Sequence, residues 1–227
     1  MSETTDAGAR AGSGGDAEDR HFVYFADPMC SWCYGFSPTI KTLSDTFADR
    51  LGLRIVVGGL RAGNTQAMRP QDREYIQGAW TRVGKASGRP FDHAFFDREH
   101  FVYDTEPACR AVVTARTLEA GSELAMMSAI STAFYANNRD TTDPATLIDI
   151  AAEQGHDRAA FQETFDAADT RNATLQDFYF SQQSGVQGFP CLVVGEDTQG
   201  YTIVTNGFRA IDGMVEGIER WLASQTG

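Results

Sequence analysis

Two cysteines separated by two residues follow directly after a short apolar run in the segment HFVYFADPMCSWCYGF, residues 21–36. The aromatic and β-branched run at 21–25 predicts a buried strand, and beyond the cysteines the apolar residues recur with the spacing of a helix face. Cys30 and Cys33 are therefore predicted to lie where a strand ends and a helix begins. The spacing alone leaves three uses open: a redox pair, half of a zinc site, or two buried small side chains.

The predicted position at a helix start favours the redox pair. Unpaired backbone N–H groups and the helix dipole stabilise a thiolate on Cys30, which we expect to be the more exposed thiol. Cys33, one turn further along the same side, is well placed to attack a mixed disulfide formed on Cys30. A structural zinc site needs two further ligands, usually in a second close pair, whereas Cys109 and Cys191 are solitary. We therefore predict no metal site.

The remaining apolar patterns predict a mixed α/β fold in which two strand-containing parts flank a long helical part. A second strand is predicted at 53–60, a hairpin of two strands at 191–207, and a last helix after the hairpin. Residues 61–185 show helical patterns almost throughout, and this segment is too long for a loop. The predicted order is strand–helix–strand, a helical insertion, and strand–strand–helix.

The composition excludes several classes of function. The chain of 227 residues carries a formal net charge of −12, whereas a phosphate-binding surface needs a basic excess, so we predict no nucleic-acid partner. No run approaches the roughly 18 apolar residues of a membrane span. Residues 1–20, rich in Gly, Ala, Ser and acidic residues, are predicted to be a disordered tail that lacks the apolar region of a secretory signal. We therefore expect a cytoplasmic protein with no membrane partner.

A further signal is the segment GVQGFPCLVV, residues 185–194, in which a proline precedes an apolar strand. At a strand entrance the peptide bond before a proline can be cis. Together with DPMCSWCYGF and EPACRAV, this segment resembles the DsbA-like form of the thioredoxin fold, and the resemblance covers roughly residues 21–225. It is closest to the bacterial group of FrnE-like proteins and predicted disulfide isomerases. The resemblance implies a thioredoxin-like domain made of residues 21–60 and 186–227, interrupted by an inserted helical subdomain at 61–185.

Carried over residue by residue, the resemblance implies a catalytic site of two cysteines and a proline. Cys30 matches the attacking cysteine of the family, and Cys33 matches the resolving cysteine. Pro190 matches the cis-proline that faces the pair. We therefore expect a cis bond before Pro190, within van der Waals distance of the two thiols.

The resemblance also implies substrate-binding residues beside the pair. The backbone of Phe189 would pair with an extended substrate peptide as an added β-strand. Ser31 and Trp32 stand between the cysteines, where the strongest oxidant of the family has Pro-His. Without a cationic histidine the thiolate of Cys30 loses one stabilising group, so we expect a more reducing pair.

Five further residues are candidates for the cavity around the pair: Asp27, Glu106, Cys109, Arg110 and Cys191. Three of them belong to the EPACRAV segment, which matches an insertion segment near the active-site cavity of the family. Thioredoxin-like proteins often hold a buried acid six residues before the first cysteine, where this chain has Tyr24. Asp27 is the nearest acid and a candidate proton relay, and Cys191 follows directly after Pro190.

The leading functional hypothesis is a thiol–disulfide oxidoreductase of the DsbA-like family that reduces or isomerises protein disulfides. Its partners would be disulfide-containing proteins or peptides and a thiol reductant such as glutathione or thioredoxin. It would need no cofactor besides its own redox-active disulfide, with glutathione as a co-substrate. The alternative is a glutathione-dependent enzyme similar to 2-hydroxychromene-2-carboxylate isomerases or kappa-class glutathione transferases. Those enzymes use one activated Ser or Cys, so the second cysteine, Cys33, favours redox chemistry. A third hypothesis is a redox-inert binding module that uses the groove beside Pro190.

Overall fold

The computed structural model describes residues 20–225 and contains one four-stranded mixed sheet. The strands lie in the order β2-β1-β3-β4, with β1 parallel to β2 and the other neighbours antiparallel. Their bounds are β1 His21–Ala26, β2 Gly52–Val57, β3 Cys191–Glu196 and β4 Gly200–Asn206. The strand predictions at 21–25 and in the hairpin are confirmed, whereas the predicted strand at 53–60 ends three residues earlier, in a loop at 58–60.

Eight α-helices and one short 3-10 helix complete the described part of the chain. They are α1 Ser31–Thr46, α2 Pro70–Ser87, the 3-10 helix His93–Asp97, α3 Glu106–Leu118, α4 Glu123–Tyr135, α5 Pro144–Glu153, α6 Arg158–Asp166, α7 Ala168–Gln183 and α8 Met214–Ser224. Among residues 20–225, no helix has both the length and the apolar character to cross a membrane.

Successive side chains of β1 point to opposite faces of the sheet, and both faces are covered by other residues. Phe22 and Tyr24 belong to the main hydrophobic core, which also contains buried residues of α1 and α8. Val23 and Phe25 belong to a smaller cluster on the other face, where Phe25 stacks on Phe180 of α7 at a centroid distance of 5.9 Å. The sheet is therefore a layer between helices, which confirms the predicted α/β fold.

The predicted helical insertion is not packed as a separate body. Helices α3 and α7 contact strand β2, and helices α2 and α4 contact α1. One hydrophobic core runs without a break through the sheet and the inserted helices. The predicted tail at 1–20 lies outside the described residues except for Arg20, whose guanidinium lies 4.0 Å from the carboxylate of Glu196.

Candidate active site

The cysteine pair lies at the start of α1, on the loop that leaves β1. Cys30 is the residue that caps the helix N-terminus, with extended backbone angles of φ −93° and ψ 118°, and Cys33 lies within the first turn. Both side chains are shielded, with 6% of Cys30 and 4% of Cys33 exposed. Cys30 is the slightly more exposed of the two thiols, as expected, although both are buried. The loop before β3 covers it, since the Cys30 thiol donates to the carbonyl of Phe189 at 3.6 Å.

The two thiols differ in their surroundings more than in their exposure. Cys33 lies within the first turn of α1, and the charges of Cys30 and Asp27 both act on its thiol. Burial raises the pKa of the Cys33 thiol well above that of a free cysteine, and the neighbouring Cys30 raises it further. Cys33 is thus held as a protonated, buried thiol directly behind Cys30.

The peptide bond between Phe189 and Pro190 is cis, as predicted. Pro190 is buried, and its carbonyl accepts a hydrogen bond from the N–H of Gly207 at 2.7 Å. The ring of Phe189 lies flat against Gly58, where an added Cβ would come within 1.9 Å of the ring. The absence of a side chain at Gly58 therefore determines where the segment before Pro190 can lie.

A partly exposed apolar surface flanks Cys30. The ring of Trp32 packs on the ring of Phe208 at a centroid distance of 5.3 Å, and both side chains are half-buried, as is Phe189. Phe208 was not predicted as a site residue. It follows Gly207, whose hydrogen bond to Pro190 brings the end of β4 next to the active-site loop. We call Trp32, Phe189 and Phe208 the apolar ledge.

Asp27 lies buried beside the pair, but its carboxylate faces the inserted helices. The carboxylate accepts hydrogen bonds from the N–H of Met29 at 2.8 Å, the N–H of Leu60 at 2.7 Å and the thiol of Cys109 at 3.4 Å. Burial raises the pKa of Asp27, although these donors oppose the shift. Burial also raises the pKa of the Cys109 thiol. Asp27 and Cys109 thus form a buried pair one layer behind the cysteines.

Three of the predicted cavity residues lie apart from the two thiols. Arg110 forms an ion pair with Glu106 at 2.9 Å and donates to the carbonyl of Phe165 at 3.0 Å, so this pair joins α3 to α6. Cys191 lies in the small cluster on the sheet face opposite Tyr24, because its register on β3 places it beside Phe25 of β1. The structure therefore does not bring Cys191 to Cys33.

Side chains of the inserted helical part hold the loop that carries Cys30. The hydroxyls of Tyr103 and Tyr135 both donate to the carbonyl of Met29 at 2.5 Å, and the hydroxyl of Ser131 donates to the carbonyl of Pro28 at 2.7 Å. The sequence interpretation missed these residues, because buried aromatic residues in helical patterns are most often plain core. The sequence contained one indication of this role: each of these side chains was predicted to be buried yet carries a hydroxyl, and a buried hydroxyl needs a hydrogen-bond partner.

We expect the two tyrosine hydroxyls to act jointly on stability. Tyr103→Phe and Tyr135→Phe should each lower the free energy of unfolding by about 1 kcal/mol, the net worth of one hydrogen bond. The double variant should lose more than the sum, because the buried carbonyl of Met29 then has no hydroxyl donor. Urea denaturation of the wild type, the two single variants and the double variant measures this coupling. Tyr75→Phe, on the exposed side of α2, is the control. Strictly additive losses would contradict the shared role.

The described residues hold no group of three or more His, Cys, Asp and Glu side chains arranged to bind a metal ion. A cysteine at a helix N-terminus, a second cysteine in the first turn of the same helix and the carbonyl of the residue before a cis-proline form one compact arrangement.

Comparison with known families agrees with this arrangement. The family model of the DSBA-like thioredoxin domain matches residues 22–219. The chain belongs to this family. The solved structure of oxidoreductase DsbA from Xylella fastidiosa is 15% identical and shares its fold with a TM-score of 0.59, over 92% of this chain and 87% of that one.

Two solved structures are similar to this DSBA-like chain over almost their full lengths. A candidate protein disulfide isomerase from Nitrosomonas europaea is 33% identical, with a TM-score of 0.85, and the match covers 92% of this chain and 100% of that one. The cytosolic disulfide reductase DsbM from Pseudomonas aeruginosa is 26% identical, with a TM-score of 0.74, and the match covers 89% of this chain and 98% of that one. DsbM has also been solved with GSH.

A curated relative carries a different description. The ClpXP adapter protein SpxH from Bacillus subtilis is 21% identical over 169 residues, which are 74% of this chain. The chain spans 56% of the length of that relative.

Proposed function

We propose that this protein is a thiol–disulfide oxidoreductase that reduces protein disulfides, and isomerises them where a substrate thiol completes the exchange, through Cys30-Ser31-Trp32-Cys33. The observation that carries the proposal is the geometry of the pair. Cys30 caps α1 and faces the carbonyl of Phe189 before the cis-proline, and Cys33 lies buried within the first turn of the same helix.

The first step is attack on the substrate disulfide. The thiolate of Cys30 attacks one sulfur of the substrate, the substrate S–S bond breaks, and the other substrate sulfur leaves as a thiolate that takes up a proton. A mixed disulfide now joins Cys30 to the substrate. Extended substrate backbone would pair with the chain at Phe189, and the apolar ledge would contact its side chains.

The second step releases the substrate. Cys33 loses its proton and attacks the sulfur of Cys30, the mixed disulfide breaks, and the second substrate thiolate leaves. The protein then holds a Cys30–Cys33 disulfide, and the substrate has gained two electrons and two protons. Two molecules of an external thiol return the pair to its reduced form and leave as their disulfide. The structure of DsbM with GSH supports glutathione as that thiol.

Reduction in the cytoplasm is part of the proposal. The support comes from DsbM, which is described as a cytosolic disulfide reductase and matches this chain over 89% of its length. Isomerisation is supported by the similarity to the candidate isomerase from Nitrosomonas europaea. In that reaction a second thiol of the substrate, rather than Cys33, resolves the mixed disulfide.

We expect the protein to catalyse the reduction of insulin by glutathione or dithiothreitol, measured as turbidity from the precipitating B chain. A parallel assay measures the conjugation of glutathione to 1-chloro-2,4-dinitrobenzene. The wild-type rate should not exceed that of the Cys30→Ser variant, because the thiols of Cys30 and Cys33 act in disulfide exchange. Conjugation without insulin reduction would overturn the proposal in favour of a glutathione transferase. If the wild-type protein shows neither insulin reduction nor glutathione conjugation, the result would favour a redox-inert binding module.

A further inference from the structure

The thiol of Cys30 occupies a backbone carbonyl that a bound substrate would need. It donates to the carbonyl of Phe189 at 3.6 Å. This carbonyl lies just beyond the ladder between β1 and β3, whose last pair joins Phe25 to Cys191. A residue that pairs with an antiparallel strand uses both its N–H and its carbonyl. The reduced protein therefore holds its attacking thiol on the backbone group where substrate would pair.

The segment before Pro190 is otherwise free of hydrogen bonds. In the chain between residues 20 and 225, residues 187–189 form a single one, which the Phe189 carbonyl accepts from Cys30. The segment is fixed at its end, because the carbonyl of Pro190 accepts the N–H of Gly207 at 2.7 Å. Unpaired backbone that continues a strand is an edge to which an extended peptide can add a further strand. The Cys30 S–H is therefore the group that such a peptide has to displace.

The start of α1 offers the Cys30 sulfur a second set of partners. Cys30 is the residue that caps this helix, yet its side chain makes no capping hydrogen bond. Within the described chain, the N–H groups of Ser31, Trp32 and Cys33 have no acceptor, and the N–H of Tyr34 donates to the Cys30 carbonyl at 3.0 Å. A neutral thiol is a weak acceptor, whereas a thiolate accepts strongly and is stabilised by the helix dipole. The free N–H groups thus suit the ionised sulfur.

We propose that substrate binding at Phe189 converts Cys30 from a protected thiol into the attacking thiolate. The inference rests on the oxidoreductase function proposed above. In the free protein the Cys30 S–H is bonded to the Phe189 carbonyl. A backbone N–H of the substrate takes over this carbonyl, and the thiol loses its acceptor. Its proton then leaves to water, and the sulfur accepts the free N–H groups of α1. The thiolate forms only where a substrate is in place.

The coupling acts in both directions, because proton loss from Cys30 and substrate binding both depend on the same carbonyl. Below the pH at which Cys30 loses its proton, the carbonyl is occupied and the substrate binds less tightly. Above that pH the carbonyl is free, so the affinity rises. The expected change is about fivefold, the equilibrium equivalent of one net hydrogen bond. The protonated thiol of the free protein is also the form that resists oxidation.

The other groups that titrate near Cys30 can be separated from it. The titratable and charged groups around it are Tyr24 of β1, Asp27 of the loop after β1, Cys33 of α1, Arg61 after β2, Tyr103 before α3 and Tyr135 of α4. Burial raises the pKa of Cys33 and of the three tyrosines, so they stay neutral near neutral pH. Burial also raises the pKa of Asp27. Because Asp27 remains in a variant that lacks only the Cys30 thiol, comparison with that variant isolates Cys30.

Binding of a cysteine-free peptide tests the coupling without disulfide exchange. The probe is a fluorescently labelled insulin B-chain peptide in which alanine replaces each cysteine. Its Kd for the reduced wild-type protein and for Cys30→Ala is measured by fluorescence anisotropy from about pH 5 to about pH 9. At the lowest pH the wild type should bind about fivefold more weakly than Cys30→Ala, which has no S–H on the carbonyl. The two values should converge as the pH rises, and a ratio that does not change with pH would overturn the proposal.

Two controls locate the exchange at the Phe189 carbonyl. Cys191→Ala removes a buried thiol on the other face of the sheet and should keep the pH dependence of the wild type. A series of peptides, each with one backbone amide replaced by an ester, identifies the substrate N–H. One of these esters should make the wild type and Cys30→Ala bind equally at every pH, because no N–H then competes for the carbonyl. If every ester peptide keeps the difference, the proposed exchange is wrong.

A measurement on the wild-type protein covers the case in which Cys30→Ala does not fold. Saturating the reduced protein with the peptide near neutral pH should raise the ultraviolet absorbance of the thiolate, which reports Cys30 because burial keeps Cys33 protonated. An unchanged absorbance would overturn the proposal.

The failure of the coupling and the failure of the function give different results. If the wild-type protein does not reduce insulin, the proposed oxidoreductase function is wrong. If it reduces insulin but its affinity for the peptide relative to Cys30→Ala is the same at every pH, only the coupling is wrong.

Discussion

Cys33→Ser should accumulate a stable mixed disulfide between Cys30 and its substrate, whereas Cys30→Ser should form none. In the first variant the attacking thiolate at the N-terminus of α1 remains, but the sulfur that would release the substrate is gone. In the second variant a hydroxyl at its ordinary pKa cannot attack a disulfide. Cys33 cannot replace it, because burial raises its pKa well above that of a free cysteine and its side chain lies within the first turn of α1, behind Cys30. Turnover should fall in both variants by on the order of a thousandfold or more, the scale on which loss of a nucleophile acts.

Non-reducing gels and intact mass measurements of the variants incubated with a disulfide protein report the trapped species. Cys191→Ala is the matched control, because it removes a buried thiol on the opposite face of the sheet. It should retain turnover and trap nothing. Equal trapping by the Cys30→Ser and Cys33→Ser variants would refute the order of attack. Full turnover by Cys33→Ser would refute the dithiol mechanism and favour resolution by glutathione.

Gly58→Ala should disable the site without touching either cysteine. The added methyl group would lie 1.9 Å from Cζ of Phe189 and 2.4 Å and 2.5 Å from its two Cε atoms, so the ring has to leave its position. Because the Phe189 carbonyl accepts the hydrogen bond of the Cys30 thiol, displacement of this residue alters the surroundings of the attacking sulfur. We expect a loss of about 1–3 kcal/mol in stability, as for other overpacked sites. The loss in kcat/KM for protein substrates should be larger than for a small disulfide, because strand pairing at Phe189 is disturbed.

Urea denaturation and insulin-reduction kinetics measure the two effects. Gly52→Ala is the control at the other end of β2, where the added Cβ meets its nearest neighbour, Cβ of His21, at an ordinary 3.5 Å. The double variant Gly58→Ala/Phe189→Ala should recover part of the lost stability, because the methyl group then has room, but should not recover activity on proteins. Wild-type stability and activity in Gly58→Ala would show that the segment before Pro190 adapts freely.

The local elements and the reactive residues could be predicted from short stretches of sequence. The strand at 21–25, the helix that begins at the cysteines and the hairpin after Pro190 each depend on neighbouring residues and their periodicity. The cis bond at Pro190 was predicted from the residues around it together with the family resemblance. The loop at 58–60 was predicted as strand, because its glycines and leucine continue an apolar run while their backbone turns away from β1. Gly59, at φ 61°, marks that turn.

The partners of these residues were decided by the tertiary structure. Cys191 faces away from Cys33 because the register between β3 and β1 places it beside Phe25, and a shift of one residue would have reversed its direction. Helix α7 belongs to the predicted insertion, yet it covers the sheet through contacts with β2. Tyr103 and Tyr135 meet at the carbonyl of Met29 although the chain between them forms two helices.

The sequence by itself thus determined the kind of chemistry, because a thiol pair at a helix start is reactive through its own backbone surroundings. Only the tertiary structure decided which groups surround the thiols. Asp27 is close to Cys30 in sequence, but the packing of α3 against the loop after β1 directs its carboxylate to the thiol of Cys109. Such pairings depend on how distant elements cross and in what register. These relations arise when the whole core packs and are not carried by any local pattern of residues.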